Sequence, residues 1–500
     1  MKHNLALMLF AAIFCRAQQQ TDSIQTKIYE NYLLRNNWLG AAYKNPAQQF
    51  LRKEISLSSL STSLQKTEKE RYEAQSGSGG SLFSVETQSY LKLSSANTVW
   101  GEAHYQNGEQ KAIIWNETAD AHLLYPYLSA DAVGGSLQNE AYSISGGFNR
   151  AKGKTQFGLE TSYRASNQYR KIDPRPNNIT SDFSIKGGLA RDIARYSIGA
   201  DAFYRRYTQN NEIKFYNKIG NTAIYHLTGL GTFNNLLVGN KLESYYDGQG
   251  YGASLSLLPK NRQGLMLHLG YKNFSFDKVM PSFADLTALS INENHLHGEA
   301  SWLWERKNSN FKLNLEASII DRAGTEGIFD NRSTNNYITI GRLKSYLHQQ
   351  QKFSLSTDIE YRTPSSAWYF MPFVALHFSK ESYKKPMIYQ DFESLYFGLR
   401  SRYTTMLNGG LLSISYNLNN RYGLDARSHF GYQYPVQALE NAVKHKFNLR
   451  SQNYWETETS IKYHLKPIKK QHIFAQINFW QQYFPKATNT GYLLGLGIEF

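Results

Sequence analysis

From about residue 55 to its end, the chain alternates apolar and polar residues with a period of two, segment after segment. "FKLNLEASI" puts Phe311, Leu313, Leu315, Ala317 and Ile319 on one side, and Lys312, Asn314, Glu316 and Ser318 on the other. "YSISGGFNR" and "FGLETSY" repeat the pattern on either side of a short link at 151–154. Two residues is the side-chain period of a β-strand, so each segment reads as a strand with one apolar and one polar face. Further pairs flank short links at 192–195, 261–263 and 308–310, while longer polar connections fall at 166–178, 209–241 and 419–437. Tight turns on one side, long loops on the other and aromatics near strand ends predict an all-β fold, a transmembrane antiparallel up-and-down β-barrel. With about ten to fourteen residues per strand plus turns and loops, residues 54–500 are expected to hold 14 strands, with 16 as the alternative. Over 335–403 the alternation loses its parity, and its turns cannot be assigned to either side.

Composition agrees with strands that cross lipid. Aromatics are 14% of the chain, with 36 Tyr, 27 Phe and 8 Trp, yet the mean hydropathy is −0.53. Lumen residues dilute the apolar ones in a barrel strand, which gives that combination. The apolar run at 5–14 follows Lys2 and His3 and is too short for a membrane-spanning helix. Small residues at Cys15 and Ala17 suit cleavage before Gln18, so 1–17 is expected to be a signal peptide. The bulky Phe14 argues against lipidation of Cys15, the single cysteine. Secretion by this route places the protein in the cell outer membrane.

The net charge is +15, or +13 without Lys2 and Arg16. Nucleic-acid binding proteins gather such charge in a patch or helix, whereas here it is scattered through many strands. It reads as a wet lumen and a rim that meets phosphorylated lipid headgroups. The expected partners are outer-membrane lipid and lipopolysaccharide, the barrel-assembly machinery, and a receptor or lipoprotein in the same membrane. No nucleic acid and no cofactor are expected.

Residues 18–53 read differently, with short helical pieces and a turn signal at Asn45-Pro46. The segment is too small for the folded plug of an energy-coupled receptor and suits a small lumenal hatch or a periplasmic tail. Asn before Pro is also a common plain turn. "GAAYKNPA" ahead of the first strand resembles the long-chain fatty-acid transporter class of outer-membrane barrels. In that class an Asn-Pro-Ala triplet lies in a hatch blocking a 14-stranded barrel, and the matching positions are Asn45, Pro46 and Ala47. The architecture as a whole resembles uncharacterised outer-membrane barrel families.

The sharpest polar constellation is "ENHLHGE". On a strand, Glu293, His295, His297 and Glu299 share one face, opposite the face of Trp302 and Trp304, so they should line the lumen. His295 and His297 with a carboxylate as third ligand would suit zinc or another transition metal, and a plain polar lumen stripe is the simpler reading. Arg400 and Arg402, with Lys186 and Arg205, are candidate lumen cations; pairing with Asp201, Glu160 and Glu316 is the plainer expectation. Lys444-His445-Lys446 reads as a solvated cluster. "AIYHLTGLGTF", inside 209–241, is apolar enough to fold inward as a constriction. No nucleophile signature appears, so no enzyme is expected.

The last strand, "GYLLGLGIEF", carries Tyr492, Leu494, Leu496, Ile498 and Phe500 on a lipid-facing side and resembles the signal read by barrel-assembly machinery. The resulting expectation is a barrel that passes or binds a small solute, its lumen narrowed by the N-terminal segment and a long loop. The rivals are a structural or accessory subunit of an outer-membrane complex and a His-assisted metal or haem binder.

Overall fold

The computed structural model describes residues 40, 44–53, 56–217, 222–239, 243–261, 263–330, 337–363, 365–431, 433–466, 468 and 471–500. The signal-peptide reading lies outside them. A short 3-10 helix, Pro46–Leu51, leads into β1 (Leu57–Glu68), β2 (Gly79–Lys92) and β3 (Asn97–Ile113). Next come helix α1 (Ala121–Leu124), β4 (Ser129–Ala130), β5 (Gly135–Lys152), β6 (Thr155–Tyr169), β7 (Arg175–Ile193) and β8 (Tyr196–Lys214). After them run β9 (Tyr225–Gly229), β10 (Thr232–Phe233), β11 (Glu243–Pro259), β12 (Gly264–Met280), β13 (Leu286–Glu305) and β14 (Ser309–Asp330). β15 (Ile338–Arg362), β16 (Ser366–Tyr383), β17 (Ile388–Leu407) and β18 (Gly410–His429) precede helix α2 (Gln437–Ser451). The chain ends in β19 (Tyr454–His464), β20 (His472–Phe484) and β21 (Ala487–Glu499).

All these strands except β4, β9 and β10 form one 18-stranded antiparallel sheet. Each strand pairs with its neighbours in order, and β1 pairs with β21 from Ser59↔Glu499 to Glu68↔Thr490. Closure leaves no sheet edge, which is what lipid demands of a strand structure. The seam extends to the last residue: Ser58 N donates to the Phe500 carbonyl at 2.9 Å, and Phe500 N donates to the Ser58 carbonyl at 3.0 Å.

The barrel therefore has 18 strands, not 14 or 16. The miscount comes from strand length. A crossing needs only about 9–11 residues, yet β14 has 22 and β15 has 25. Polar stretches that read as loops are the upper ends of strands. Of 166–178, only 170–174 lies outside β6 and β7. Bulges explain the lost parity, since each inserted residue moves the rest of its strand to the other face. The register shifts at Gly324/Thr325 and Ile328/Phe329, against β15, and at Glu393/Ser394 in β17.

The outer face shows what surrounds it. Ile144, Leu189 and Leu255 are each 61% exposed, within a continuous row of outward aliphatic and aromatic side chains. No water-facing wall is built that way, and a lipid-facing one is. Trp302 and Trp304 pack at 5.9 Å beside the turn that ends β13. Higher up, the register partners Tyr105 and Tyr142 meet at 4.9 Å, and Tyr204 faces Tyr251. These are the two aromatic girdles of a transmembrane barrel. Above them the outer face turns polar, as in the Arg206–Asp247 pair. On β21 Tyr492, Leu494 and Leu496, and just after it Phe500, are exposed on the outside, while Glu499 turns inward to Lys462 at 2.8 Å.

Candidate functional site

Eighteen strands leave an aqueous bore unless something fills it. Two structures do, one at each end. At the end holding the seam's Ser58 and Phe500, the segment around the 3-10 helix lies against the inner wall. Asn45 caps it, its Oδ1 accepting from Ala47 N at 2.9 Å, and Pro46 takes the first helical position, where no N–H is needed. Asn45, Ala47, Gln48 and Gln49 are buried. The wall supplies partners to several of their polar groups: Asn149 Nδ2 donates to the Ala47 carbonyl at 2.6 Å, and Gln48 Nε2 donates to the Ser197 carbonyl at 3.2 Å. Ser256 Oγ donates to Gln48 Oε1 at 2.6 Å, and Tyr90 OH to the Gln49 carbonyl at 2.8 Å.

This approach needs glycine. A Cβ on Gly158 would fall 2.2 Å from the Pro46 carbonyl carbon, and one on Gly188 2.2 Å from Asn45 Oδ1. Gly199 has the same conflict with Asn45 Nδ2 at 2.6 Å. Three neighbouring strands, β6, β7 and β8, thus give up side chains where the Asn45-Pro46-Ala47 turn docks.

At the opposite end three connections form a cap. Residues 114–134, with α1 and β4, dip into the bore, and β9 pairs with β4 beneath them. The "AIYHLTGLGTF" stretch does fold inward: His226, Leu227, Thr228 and Leu230 are buried. Tyr246 OH donates to the Tyr127 carbonyl at 2.8 Å, and Arg322 Nη1 to the Tyr125 carbonyl at 2.6 Å. Arg170 lies between Glu117 at 2.7 Å and Asp131 at 2.8 Å, all three side chains at most 1% exposed. Burial pushes the Glu117 carboxyl well up, the adjoining Asp131 adds to this, and Arg170 opposes both. α2 closes the remaining gap. Its Arg450 holds Glu73 at 2.6 Å and its Lys446 holds it at 3.7 Å. Burial would raise the Glu73 carboxyl, but these two cations pull it down to about 2. Lys446 is thus half of a latch, and only Lys444 and His445 fit the expected solvated cluster.

Between the N-terminal segment and the cap lie three cavities of about 790, 730 and 650 Å³. The largest is walled by β14 to β19 and includes Arg400 and Arg402; the second lies against β1–β3, β20 and β21. Arg402 is common to both linings. The second and third share Glu86, Glu102, Ser145 and Glu160.

Glu293, His295, His297 and Glu299 share the inner face as their spacing predicts, but they do not converge. Glu293 pairs with Arg322 at 2.6 Å, and Glu299 with Lys44 at 3.3 Å and Lys312 at 3.5 Å. His295 meets Ser318 Oγ at 2.9 Å, and Lys44 Nζ lies 3.0 Å from His297 Nε2. Among the described residues no group of three His, Cys, Asp or Glu side chains is placed to hold a metal. The third ligand expected for His295 and His297 is taken up by cations. The expected ion pairs are also rearranged. Arg205 goes to Asp182 at 2.8 Å, not to Asp201, and Lys186 donates to the Lys44 carbonyl at 3.0 Å. Sequence reasoning overlooked Asp182, Lys44 and Glu73. Lumen parity marks Asp182, but nothing local marks contacts made across the bore.

A model described as a family of unknown function (DUF6850) matches residues 46–500. The chain belongs to that family. The matched span begins at Pro46, so it takes in the lumenal helix as well as the barrel. No curated protein matches the sequence. Among solved structures, BauA, the ferric preacinetobactin receptor of Acinetobacter baumannii, is 9% identical, with 89% of this chain and 80% of that chain covered at a TM-score of 0.39. A mutant of the ferric enterobactin receptor PfeA of Pseudomonas aeruginosa is 9% identical, with 89% and 80% covered at 0.37. The ferric yersiniabactin uptake receptor FyuA of Yersinia pestis is 8% identical, with 89% and 80% covered at 0.37. Likeness at that level says nothing about cargo.

Proposed function

We propose that the protein is an outer-membrane β-barrel that passes or binds a small solute, with the N-terminal segment as hatch and the folded connections as cap. The carrying observation is the chain of polar cavities left between two plugs in a bore that 18 strands would otherwise hold open. Their volumes fall within the range that holds small ligands, roughly 300–1,000 Å³. The N-terminal segment bonds to β2, β5, β8, β11 and β13, and so leaves the β14 to β19 side of the lumen uncovered. Reconstitution in planar bilayers and vesicles tests the reading. Solute flux is expected, and more of it from a variant lacking 44–53. Folded barrels of both forms that pass neither ions nor solutes, and bind no solute, would overturn it.

The cap favours a second reading, an accessory subunit that docks a partner on its outer surface, because α2 and 114–134 are packed like a folded domain. Gentle extraction and mass analysis of co-purifying proteins tests it; recovery as a lone monomer counts against it.

A further inference from the structure

The lower aromatic girdle is broken by cations on one side of the barrel. On β13 to β16 the outward residues beside the short turns are mainly aromatic: Trp302, Trp304, Phe311, Tyr361 and Trp368. On β5 to β7 the same level carries Arg150 and Lys152 at the end of β5, Lys154 in the two-residue link to β6, and Arg191 two residues before the end of β7. All four are exposed. Asn149 and Gly188 face the N-terminal segment inside the bore, so Arg150, Lys152 and Arg191, at the alternate positions, point outward. Lys152 and Arg191 are both register partners of Thr155, which sets their backbones about 10 Å apart with β6 between them. Among the described residues none of the four makes an ion pair, and the adjoining carboxylate, Asp192, is held by Lys260 at 2.7 Å. Directly above them the wall is apolar. Phe157 is the register partner of both Arg150 and Leu189, and its ring meets that of Phe148 at 5.4 Å.

We infer that this patch is a binding site for an anionic phospholipid of the periplasmic leaflet, its phosphate held among Arg150, Lys152, Lys154 and Arg191 and its acyl chains laid on Phe148, Phe157 and Leu189. The inference rests on the membrane-barrel fold and is independent of any cargo. Two-residue links, 153–154 and 194–195, mark this end of the barrel as the periplasmic one. Lipopolysaccharide occupies the other leaflet. Cations at headgroup level attract phosphate, and a guanidinium offers paired donors to its oxygens. Zwitterionic phosphatidylethanolamine brings its own ammonium and would leave four unpaired cations uncompensated, whereas a net-anionic headgroup neutralises them.

Full-length, delipidated barrel in a non-ionic detergent is titrated with tetraoleoyl cardiolipin, dioleoyl phosphatidylethanolamine and lipid A, and bound lipid is counted by native mass spectrometry. Cardiolipin is expected to bind saturably and at least about tenfold more tightly than phosphatidylethanolamine, with an affinity that falls as salt is raised. A fourfold variant, Arg150→Gln, Lys152→Gln, Lys154→Gln and Arg191→Gln, should lose that preference. The double variant Arg306→Gln, Lys307→Gln, in the turn beside Trp304, should keep it, because its two exposed cations stand next to the aromatic part of the girdle. Gel mobility with and without heating confirms that each variant is folded. The comparison between lipids uses the unaltered chain and decides the matter even where the fourfold variant fails to fold. Equal affinity for cardiolipin and phosphatidylethanolamine, undiminished cardiolipin binding by the folded fourfold variant, or an equal loss in the double variant would overturn the inference. Lipid A bound more tightly than cardiolipin, and lost in the fourfold variant, would assign the patch to lipopolysaccharide phosphates and overturn the choice of leaflet.

Discussion

Gly158→Ala tests whether the N-terminal segment is a docked hatch. The new methyl would lie 2.2 Å from the Pro46 carbonyl carbon, 2.3 Å from its oxygen and 2.5 Å from Ala47 N, whereas ordinary contact begins at 3.4 Å. The segment must then retreat by the difference, about 1.2 Å, since backbone cannot rotate away as a side chain tip can. Asn149, the register partner of Gly158, donates to the Ala47 carbonyl at 2.6 Å, and a retreat on that scale takes the bond beyond hydrogen-bonding range. The neighbouring Gln48 bonds to Ser197 and Ser256 depend on the same backbone. Losing two buried hydrogen bonds at about 1.5 kcal/mol each costs about 3 kcal/mol. That corresponds to roughly a hundredfold shift from docked to undocked. Trypsin cleavage at Lys44, Arg52 and Lys53 of the folded protein, read by mass spectrometry, reports the shift directly. Bilayer conductance should rise in parallel. Gly187→Ala is the control, because nothing lies within 4 Å of its Cβ. Wild-type cleavage rates in Gly158→Ala, or an equal increase in Gly187→Ala, would refute the reasoning.

Further predictions concern the cap, the seam and the histidines. Arg170→Ala leaves Glu117 and Asp131 buried without their cation and should loosen residues 114–134 by about 3–5 kcal/mol, seen as lost amide protection there and unchanged protection in the strands. The Glu73 carboxyl is depressed in the folded state, so its contribution to the α2 latch is whole above about pH 4.5 and is lost as pH falls toward 2. Protection of the α2 amides, taken relative to intrinsic exchange at each pH, should therefore be the same at pH 7 and pH 5 and fall only below that, and a loss of protection by pH 5 would contradict it. Deleting Phe500 removes the last seam pair and should lower the amount of folded barrel in the membrane before it alters any flux, whereas normal levels would argue against the seam's importance. A His295→Ala, His297→Ala double variant should retain as much zinc or copper as the parent protein, measured by plasma emission; a drop would restore the metal reading.

What the chain reveals in advance depends on how local the cause is. Period-two alternation is a property of neighbouring residues, so the barrel, the inward face of Glu293 to Glu299 and the lipid face of β21 can all be read directly. Strand number cannot, because polar strand ends above the membrane have the composition of loops. Bulges cannot either, since one inserted residue leaves no compositional trace, and three register shifts lie within or against the stretch where parity fails. Asn45-Pro46-Ala47 reads as a turn and is one; its docking depends on Gly158, Gly188 and Gly199, which lie more than a hundred positions away and look like ordinary strand glycines. The same distance hides the pairing of Arg205 with Asp182 in preference to Asp201, and of Lys446 with Glu73.

The seam also dictates an order of events. Ser58 and Phe500 make the contact of greatest sequence separation among the wall pairs, so the cylinder can close only after nearly all of the chain is in place. The lumenal helix bonds to β5, β8, β11 and β13, and 114–134 packs against β7, β8, β11 and β14, all of which precede the closing strand. An open, curling sheet can therefore acquire its interior before it becomes a tube. The N-terminal segment need never thread a finished pore, and the polar contents can template the curvature that brings the first strand to the last.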